Sequence, residues 1–577
     1  MSKRRLVVPV LFLFLIISVY FMIFRVRLQE ASMVLTNGIV YTLDDKRPKV
    51  EAVAIDKGRI VGVGSSDEIR RKFKSERVID LKGRAVYPGF VDAHGHMEGL
   101  GALLSNLDLD GTTSVEEIQR LVAERAKSVQ PGAWLRGRGW DQNKWTTHSF
   151  PTHQMLDAVV KDIPIYLRRV DGHALWVNQK ALDLAGITRS TRDPEGGRII
   201  RDASGNPTGV FVDNGIDLID AVIPQPTEAE RTDAFRKAVE ECVKVGLTEV
   251  HDMGEDLQAI DIYKKLIAEK RFPFRVYVAI GGIGKTWNKY LQDGPEIDGN
   301  DGRLNVRALK LYADGALGSR GAALIEPYSD DPGNRGLTLT SSEELKSAAE
   351  QALDKGFQVC VHAIGDRANN IVLNVFEQAL KANPAKARDA RFRIEHAQVL
   401  TLGDIPRFHQ LGVIPSMQPT HCTSDMYWAG DRLGPERVKG AYAWRSLLDQ
   451  GSIIPAGSDF PVESPNPLLG FYAAITRQDR KGWPEGGWFP SQRMTRQEAL
   501  QAFTIWPAFA SFEENTKGRI EPGMVADFTI LSDDIMQIDA MKIPETRVEM
   551  TIIGGDVVYA SSTFANLMTG GPLLANH

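Results

Sequence analysis

The chain is short of cysteine, of surplus positive charge and of internal repetition. Its three cysteines, Cys242, Cys360 and Cys422, are odd in number, far apart and outside any Cys-x-x-Cys spacing. That speaks against a disulfide framework, leaves buried unpaired thiols as the plain reading, and says little about redox compartment. Lys and Arg number 69 against 74 Asp and Glu, a formal net charge of -5, so no basic field for nucleic acid exists. No 20–50-residue repeat and no low-complexity segment is present, which removes solenoid architectures.

What remains is an ordinary globular composition, 43% hydrophobic and 25% charged over 577 residues, with ample material for a large core. One long apolar run stands out. Lys3, Arg4 and Arg5 precede Leu6–Phe24, and Arg25 and Arg27 follow it. About 20 apolar residues cross a bilayer as a helix. No small-x-small cleavage site and no lipobox cysteine follows. Residues 1–30 are therefore expected to be an uncleaved, single-pass membrane anchor, with the bulk of the protein on the non-cytoplasmic side. The alternative is a cleaved signal that leaves the protein secreted or periplasmic.

Residues 31–86 read as short strands and turns, with Asn37-Gly38 and Lys57-Gly58 as hairpin signals. Matching pieces return at 515–562, around Gly523–Leu531 and a Gly554-Gly555 turn. Two β segments bracketing the middle predict one small β-sandwich built from both chain ends. Between them lie eight apolar runs, near 90–95, 247–252, 275–280, 306–312, 358–362, 392–396, 412–417 and 453–458. Bounded by Gly and polar residues, they read as buried strands of a parallel sheet. Helical stretches such as 342–355, 366–382 and 496–504 separate them. The expectation is an α/β chain whose residues 87–514 form a (β/α)8 TIM barrel. Its first two strands are roughly 150 residues apart, far more than a crossover needs. The aromatic, Gly-rich stretch at about 100–245 predicts an inserted subdomain over the barrel mouth.

Several runs end on a metal-ligand type of side chain. His94 and His96 lie two apart, so both face one side of a strand, and Gly95 between them lets both chelate one metal from the barrel interior. His362 and His396 close two later strands. Singly each reads as a core histidine; together with His94 and His96, in strand order, they read as ligands. Imidazole suits zinc, iron or nickel. Lys310 ends a buried strand, where its charge must be paired or removed. Either it forms a salt bridge, to Asp314 or Glu395, or carbon dioxide adds to the neutral amine and the carbamate bridges two metals. Asp459, on the eighth run, can ligate weakly and carry a proton from water to a leaving nitrogen; a capping aspartate is the plain alternative.

The opening Pro88-Gly89-Phe90-Val91-Asp92-Ala93-His94-Gly95-His96, with Lys310, His362, His396 and Asp459, resembles the amidohydrolase superfamily. Arg138-Gly139-Trp140-Asp141, Asp171-Gly172-His173 and the run Leu311–Arg320 resemble its YtcJ-like branch, which includes N-substituted formamide deformylases. The similarity covers residues 33 to about 562; the apolar start departs from the soluble members. The resemblance implies a barrel with a split sandwich, one or two divalent metals, usually zinc, and hydrolysis of a C–N bond in an amide, formamide or cyclic amide. By that reading metal-activated water attacks, and Asp459 takes its proton and returns it to the amine. His173 is a candidate for holding the carbonyl oxygen or substrate tail, or a structural residue in a tight turn. His251 either lines the pocket or sits in the core. Trp140, Trp145 and Trp176 either wall an apolar pocket or form the insertion's core. The competing readings are a mononuclear-metal deaminase, which needs no bridging lysine, and a non-catalytic binding or signalling protein, which is expected to have lost some ligands. The partner is a small amide-type molecule; oligomerisation is left open.

Overall fold

A computed structural model describes residues 28–565, apart from 131, 170–173, 195, 196, 214 and 319. The apolar run at 6–24 lies outside the described residues, and among these no helix is long and apolar enough to cross a membrane. By chain contact the described residues divide into two compact units, one made of those up to 96 and those from 239 onward, the other of those between 97 and 238.

The first unit holds a nearly closed parallel barrel. Its strands β1 (Phe90–Gly95), β2 (Leu247–Glu255), β3 (Arg275–Gly281), β4 (Leu304–Tyr312), β5 (Gln358–Ala363), β6 (Arg393–His396) and β7 (Ile414–Ser416) pair in that order, all parallel. The eighth run forms no regular strand. Single bridges, Met417 to Ala456 and Gly95 to Phe460, hold it between β7 and β1. Pro455 has no N–H to give a ladder, and Asp459 turns left-handed at φ +58°, so pairing stops after isolated bonds. The seam closes by backbone proximity instead. A Cβ on Gly457 would stand 2.5 Å from the His94 nitrogen, and one on Gly95 2.5 Å from the Phe460 ring. The Asp92 carboxylate fastens the seam, accepting from the Ser458 hydroxyl (2.6 Å) and the His94 amide (3.0 Å).

The helices start where short polar side chains can cap them. Ser341 and Glu344 form a reciprocal capping box before helix Ser342–Lys355, and Thr495 and Glu498 do the same before Arg496–Ala502. Gly356 ends the first of these in the left-handed conformation.

Both chain ends share a β-sandwich. A four-stranded sheet from residues 33–80 faces a six-stranded sheet that mixes 39–41, 49–50 and 85–88 with 528–531, 548–553 and 556–560. Met33, Leu35, Val53 and Ile55 pack in one core with Phe528, Ile530, Met550 and Ile552. The second unit carries its own six-stranded sheet with an apolar cluster on each side.

Because Ile552 comes from the far end of the chain yet fills the core started by Met33, Ile552→Ala is expected to destabilise the protein by about 2–5 kcal/mol. The urea midpoint of the unfolding transition measures it.

Candidate metal centre

Strand periodicity places the first side chains. Asp92 and His94 share the inward face of β1, and Lys310 and Tyr312 share one face of β4. On β6 the same alternation puts Arg393 and Glu395 inside and would send His396 outward. Instead His396 (φ +73°) and Ala397 (φ +42°) leave the strand in the left-handed region. Glu395 and His396 therefore both reach His94, the first by a 2.6 Å hydrogen bond to Nδ1, the second with ring centroids 4.9 Å apart.

The donor atoms of His94, His396 and Asp459 lie within 4.8 Å of one another, and all three residues are buried. The other three expected ligands stand around them. His96 Nε2 is 3.0 Å from Asp459 Oδ1, Lys310 Nζ is 3.3 Å from His94 Nε2, and the His362 ring packs 4.5 Å from that of His396. Hydrogen bonds set which nitrogens face the cluster. The Gln418 carbonyl oxygen can only accept, so His396 donates from Nδ1 (2.7 Å) and turns a bare Nε2 outward. His94 is committed through Nδ1 to Glu395 in the same way. His362 Nε2 is buried without a hydrogen-bond partner. Bare imidazole nitrogens beside a carboxylate are donors that could hold a divalent metal ion.

The protonation pattern suits a cation. Burial, then the nearby Lys310, pushes His94 down to about 4 and His362 to about 3. His396 is also driven well below the usual range, by burial and then His362. Burial alone would raise Asp459, but His94 and His96 outweigh it and hold this carboxyl well below the ordinary value. Burial lowers the Lys310 ammonium, with Glu395 and Asp459 opposing.

Neither expected ion pair to Lys310 forms. Glu395 is held by Arg393 (2.7 Å) and His94, and Asp314 accepts from the backbone amides of Ala323 (2.8 Å), Ile364 (2.9 Å) and Gly365 (2.8 Å). Among the described residues no carboxylate lies within ion-pairing distance of Lys310 Nζ.

Two residues offered as substrate contacts or as core side chains are fully buried. Trp140 has no exposed surface; it packs with Trp145 and Trp176 in the core of the second unit and donates to the Leu167 carbonyl (2.7 Å). Its indole is spent on the insertion's own sheet. His251 is likewise enclosed: Arg393 donates to its Nδ1 (2.8 Å), and its ring packs on Tyr277. It belongs to the packed barrel interior. His173 lies outside the described residues.

One residue at the centre escapes strand-end reasoning. His421 sits on the helix Pro419–Asp425 that follows β7, stacked 5.9 Å from His396, with Nε2 3.8 Å from Asp459 Oδ2. The signal was available: it lies five residues past Ser416, the last of β7.

Residues 77–559 match a family model described as the amidohydrolase family. The chain belongs to that family. It is 35% identical over 536 residues to YtcJ of Bacillus subtilis (strain 168), named as an amidohydrolase, covering 91% of this chain and 99% of that protein. It is 27% identical over 547 residues to the N-substituted formamide deformylase of Arthrobacter pascens, covering 92% and 99%. Among solved structures it resembles a metal-dependent hydrolase from Pyrococcus horikoshii OT3, with TM-score 0.72, 28% identity and coverage of 88% and 99%.

Two expectations follow for this amidohydrolase-family site. Glu395→Gln keeps a hydrogen-bond acceptor but removes the charge behind His94, so zinc affinity should fall roughly 10–100-fold, read by competition with a chelating dye. In metal-free protein, His94 and His362 titrate below their unfolded value of 6.5. The unfolded chain then binds more protons under pH 6.5, so their stabilisation is complete above that pH and is lost as pH falls toward 4. The expected loss is on the order of 1 kcal/mol per pH unit for each group. Urea midpoints of the wild type minus those of the His94→Asn/His362→Asn double variant isolate it.

Proposed function

We propose that the chain hydrolyses a non-peptide C–N bond in a small amide, formamide or cyclic amide. The carrying observation is the convergence of His94, His396 and Asp459 at the carboxyl ends of the barrel strands, where barrel enzymes hold their sites. The kinship with a formamide deformylase supports the substrate class. His94, His96, His362, His396 and Asp459 would hold one divalent ion, zinc by donor type, and Lys310 as a carbamate would complete a place for a second. Bound there, the cation supplies Lewis acidity that polarises the scissile carbonyl and brings water's pKa toward neutrality.

The chain's own groups do the rest. Asp459 is ionised at neutral pH and faces the cluster through Oδ1. It accepts the proton of the attacking water and passes it to the departing nitrogen, general base and then general acid on one carboxylate. Glu395 keeps His94 in the tautomer that presents Nε2. Lys310 has the amine that carbamylation requires, buried, lowered in pKa and without a carboxylate partner among the described residues.

The first test is zinc per chain, measured for the wild type and Lys310→Ala. Near two, falling in the variant, supports the carbamate bridge; near one, unchanged in the variant, favours a mononuclear enzyme and lifts the deaminase reading. No zinc even after incubation rejects the enzyme reading. On any amide the wild type cleaves, Asp459→Asn should lower kcat by about 10²–10⁴.

We also propose that Leu6–Phe24 anchors the chain, with the barrel on the non-cytoplasmic side, because charged residues flank a run close to bilayer length. The full chain should then resist extraction by alkaline carbonate, whereas a chain lacking residues 1–27 should not. A mature amino terminus beyond Phe24 would mean cleavage instead.

A further inference from the structure

Around the cluster almost every polar side chain already has a task. His96 is on Asp459, Gln418 orients His396, and Lys310 lies against His94. His421 differs. Its side chain is only 12% exposed, and its Nε2 is buried with no hydrogen-bond partner among the described residues. A buried ring nitrogen left bare is costly, and a purely structural histidine would spend it on a carbonyl or carboxylate. The nearest carboxylate oxygen, Asp459 Oδ2, is 3.8 Å away, too far for a hydrogen bond. The stacking on His396, with the planes 19° apart, holds the ring edge toward the centre.

The two Asp459 oxygens thus look in different directions. Oδ1 meets His96 (3.0 Å) and His94 (3.5 Å), whereas Oδ2 meets His421 across the gap. A substrate whose nitrogen must receive a proton from Asp459 brings its carbonyl oxygen within a bond or two of that carboxylate. We propose that His421 is a catalytic hydrogen-bond donor, its Nε2–H binding the substrate's carbonyl oxygen and stabilising the charge that gathers there. The inference rests on amide hydrolysis at this site.

The electron count is simple. Water's oxygen forms a bond to the carbonyl carbon, and the π pair moves onto the carbonyl oxygen, where His421 donates a hydrogen bond without surrendering its proton. Asp459 holds the proton taken from water. A lone pair on the oxyanion then re-forms the C=O bond as the C–N bond breaks, the C–N bonding pair leaves with nitrogen, and Asp459 protonates it, giving a carboxylic acid and an amine. The donor is worth most where negative charge is largest, so its effect falls on kcat.

The test uses the zinc-loaded full chain and phenylphosphonate, whose tetrahedral anionic oxygens resemble the adduct. His421→Phe keeps a ring to stack on His396 but has no N–H; His421→Leu removes both; His421→Gln restores a donor. Calorimetry should show binding to the wild type, about 10²-fold weaker in the Phe and Leu variants and partly recovered in Gln, with zinc per chain unchanged. On a cleaved amide, kcat should fall about 10²–10³-fold with KM little altered. Equal phosphonate affinity in His421→Phe or His421→Leu overturns the inference. So does loss of zinc from both, which would make His421 a ligand, and so does a zinc-loaded wild type that binds no phosphonate. If phosphonate binding depends on His421 while no amide is cleaved, the oxyanion site stands and the substrate class proposed above falls.

Discussion

The carboxylate of Glu395 is out of contact with solvent, and an unpaired charge there would be prohibitively costly. Arg393, two residues earlier and so on the same face of β6, neutralises it by meeting both oxygens, and His94 donates to Oε2 as well. The remaining Arg393 donors reach the Ala93 carbonyl on β1 (2.7 Å), the Ser416 hydroxyl on β7 (2.8 Å) and His251 on β2. One guanidinium therefore ties four strands together next to the His94, His396 and Asp459 cluster. Removing either charge would leave the other stranded inside the barrel, so the cluster above inherits its geometry from this pair. Orientation of His94, closure of the barrel interior and the enclosure of His251 are consequences of a single buried ion pair.

The seam between the last and first strands shows fold and site sharing residues. His94 supplies a ring nitrogen to the cluster and a backbone carbonyl to the Asp459 amide (2.7 Å). Asp459 and His396 both sit at positive φ, a conformation that costs a non-glycine residue on the order of 1–2 kcal/mol. Each bends the chain as it leaves the barrel wall, and each thereby aims a donor at His94. At His396 the strain lies where the strand ladder ends, whereas at Asp459 it is part of the reason the eighth run pairs through isolated bridges. Burial of Asp92 beneath the same seam has a matching effect. Its carboxyl is raised to about 7 by desolvation, against the hydrogen bonds from Ser458 and His94.

Much of this was readable from residue order, for identifiable reasons. Buried parallel strands are continuous apolar runs, so seven of the eight appeared where the sequence suggested, and their terminal histidines came with them. The eighth did not form a strand because a proline and a left-handed aspartate interrupt it, and an apolar pattern carries no record of φ. For Lys310, the chain offered Asp314 and Glu395 as partners. Which carboxylate is free depends on backbone amides donated by Ala323, Ile364 and Gly365 and on an arginine two residues from Glu395. Hydrophobicity could not distinguish a pocket wall from a core for Trp140 and Trp176; the carbonyls of Leu167 and Thr152 that accept their indole N–H groups do. His421 was missed because it rides on a helix, after the strand end where ligands were sought.

Charge balance links the number of cations to the state of one amine. His94, His362 and His396 are neutral at physiological pH, Glu395 is cancelled by Arg393, and Asp459 is the only uncompensated carboxylate among the donor atoms of the cluster. One divalent ion against one carboxylate leaves a single net positive charge in a buried space, which the site can hold because neutral imidazoles share it. A second divalent ion at the same place would raise the excess to three, with a cationic Lys310 beside it adding a fourth. Low effective dielectric makes that arrangement strongly unfavourable. Deprotonating the amine would remove one of these charges, and carbamylation would remove a second by converting the neutral amine to an anion. Burial has already moved Lys310 in the required direction. The electrostatics of the barrel interior therefore tie two-metal occupancy to chemistry at Lys310, and leave single occupancy as the state in which that lysine stays an amine.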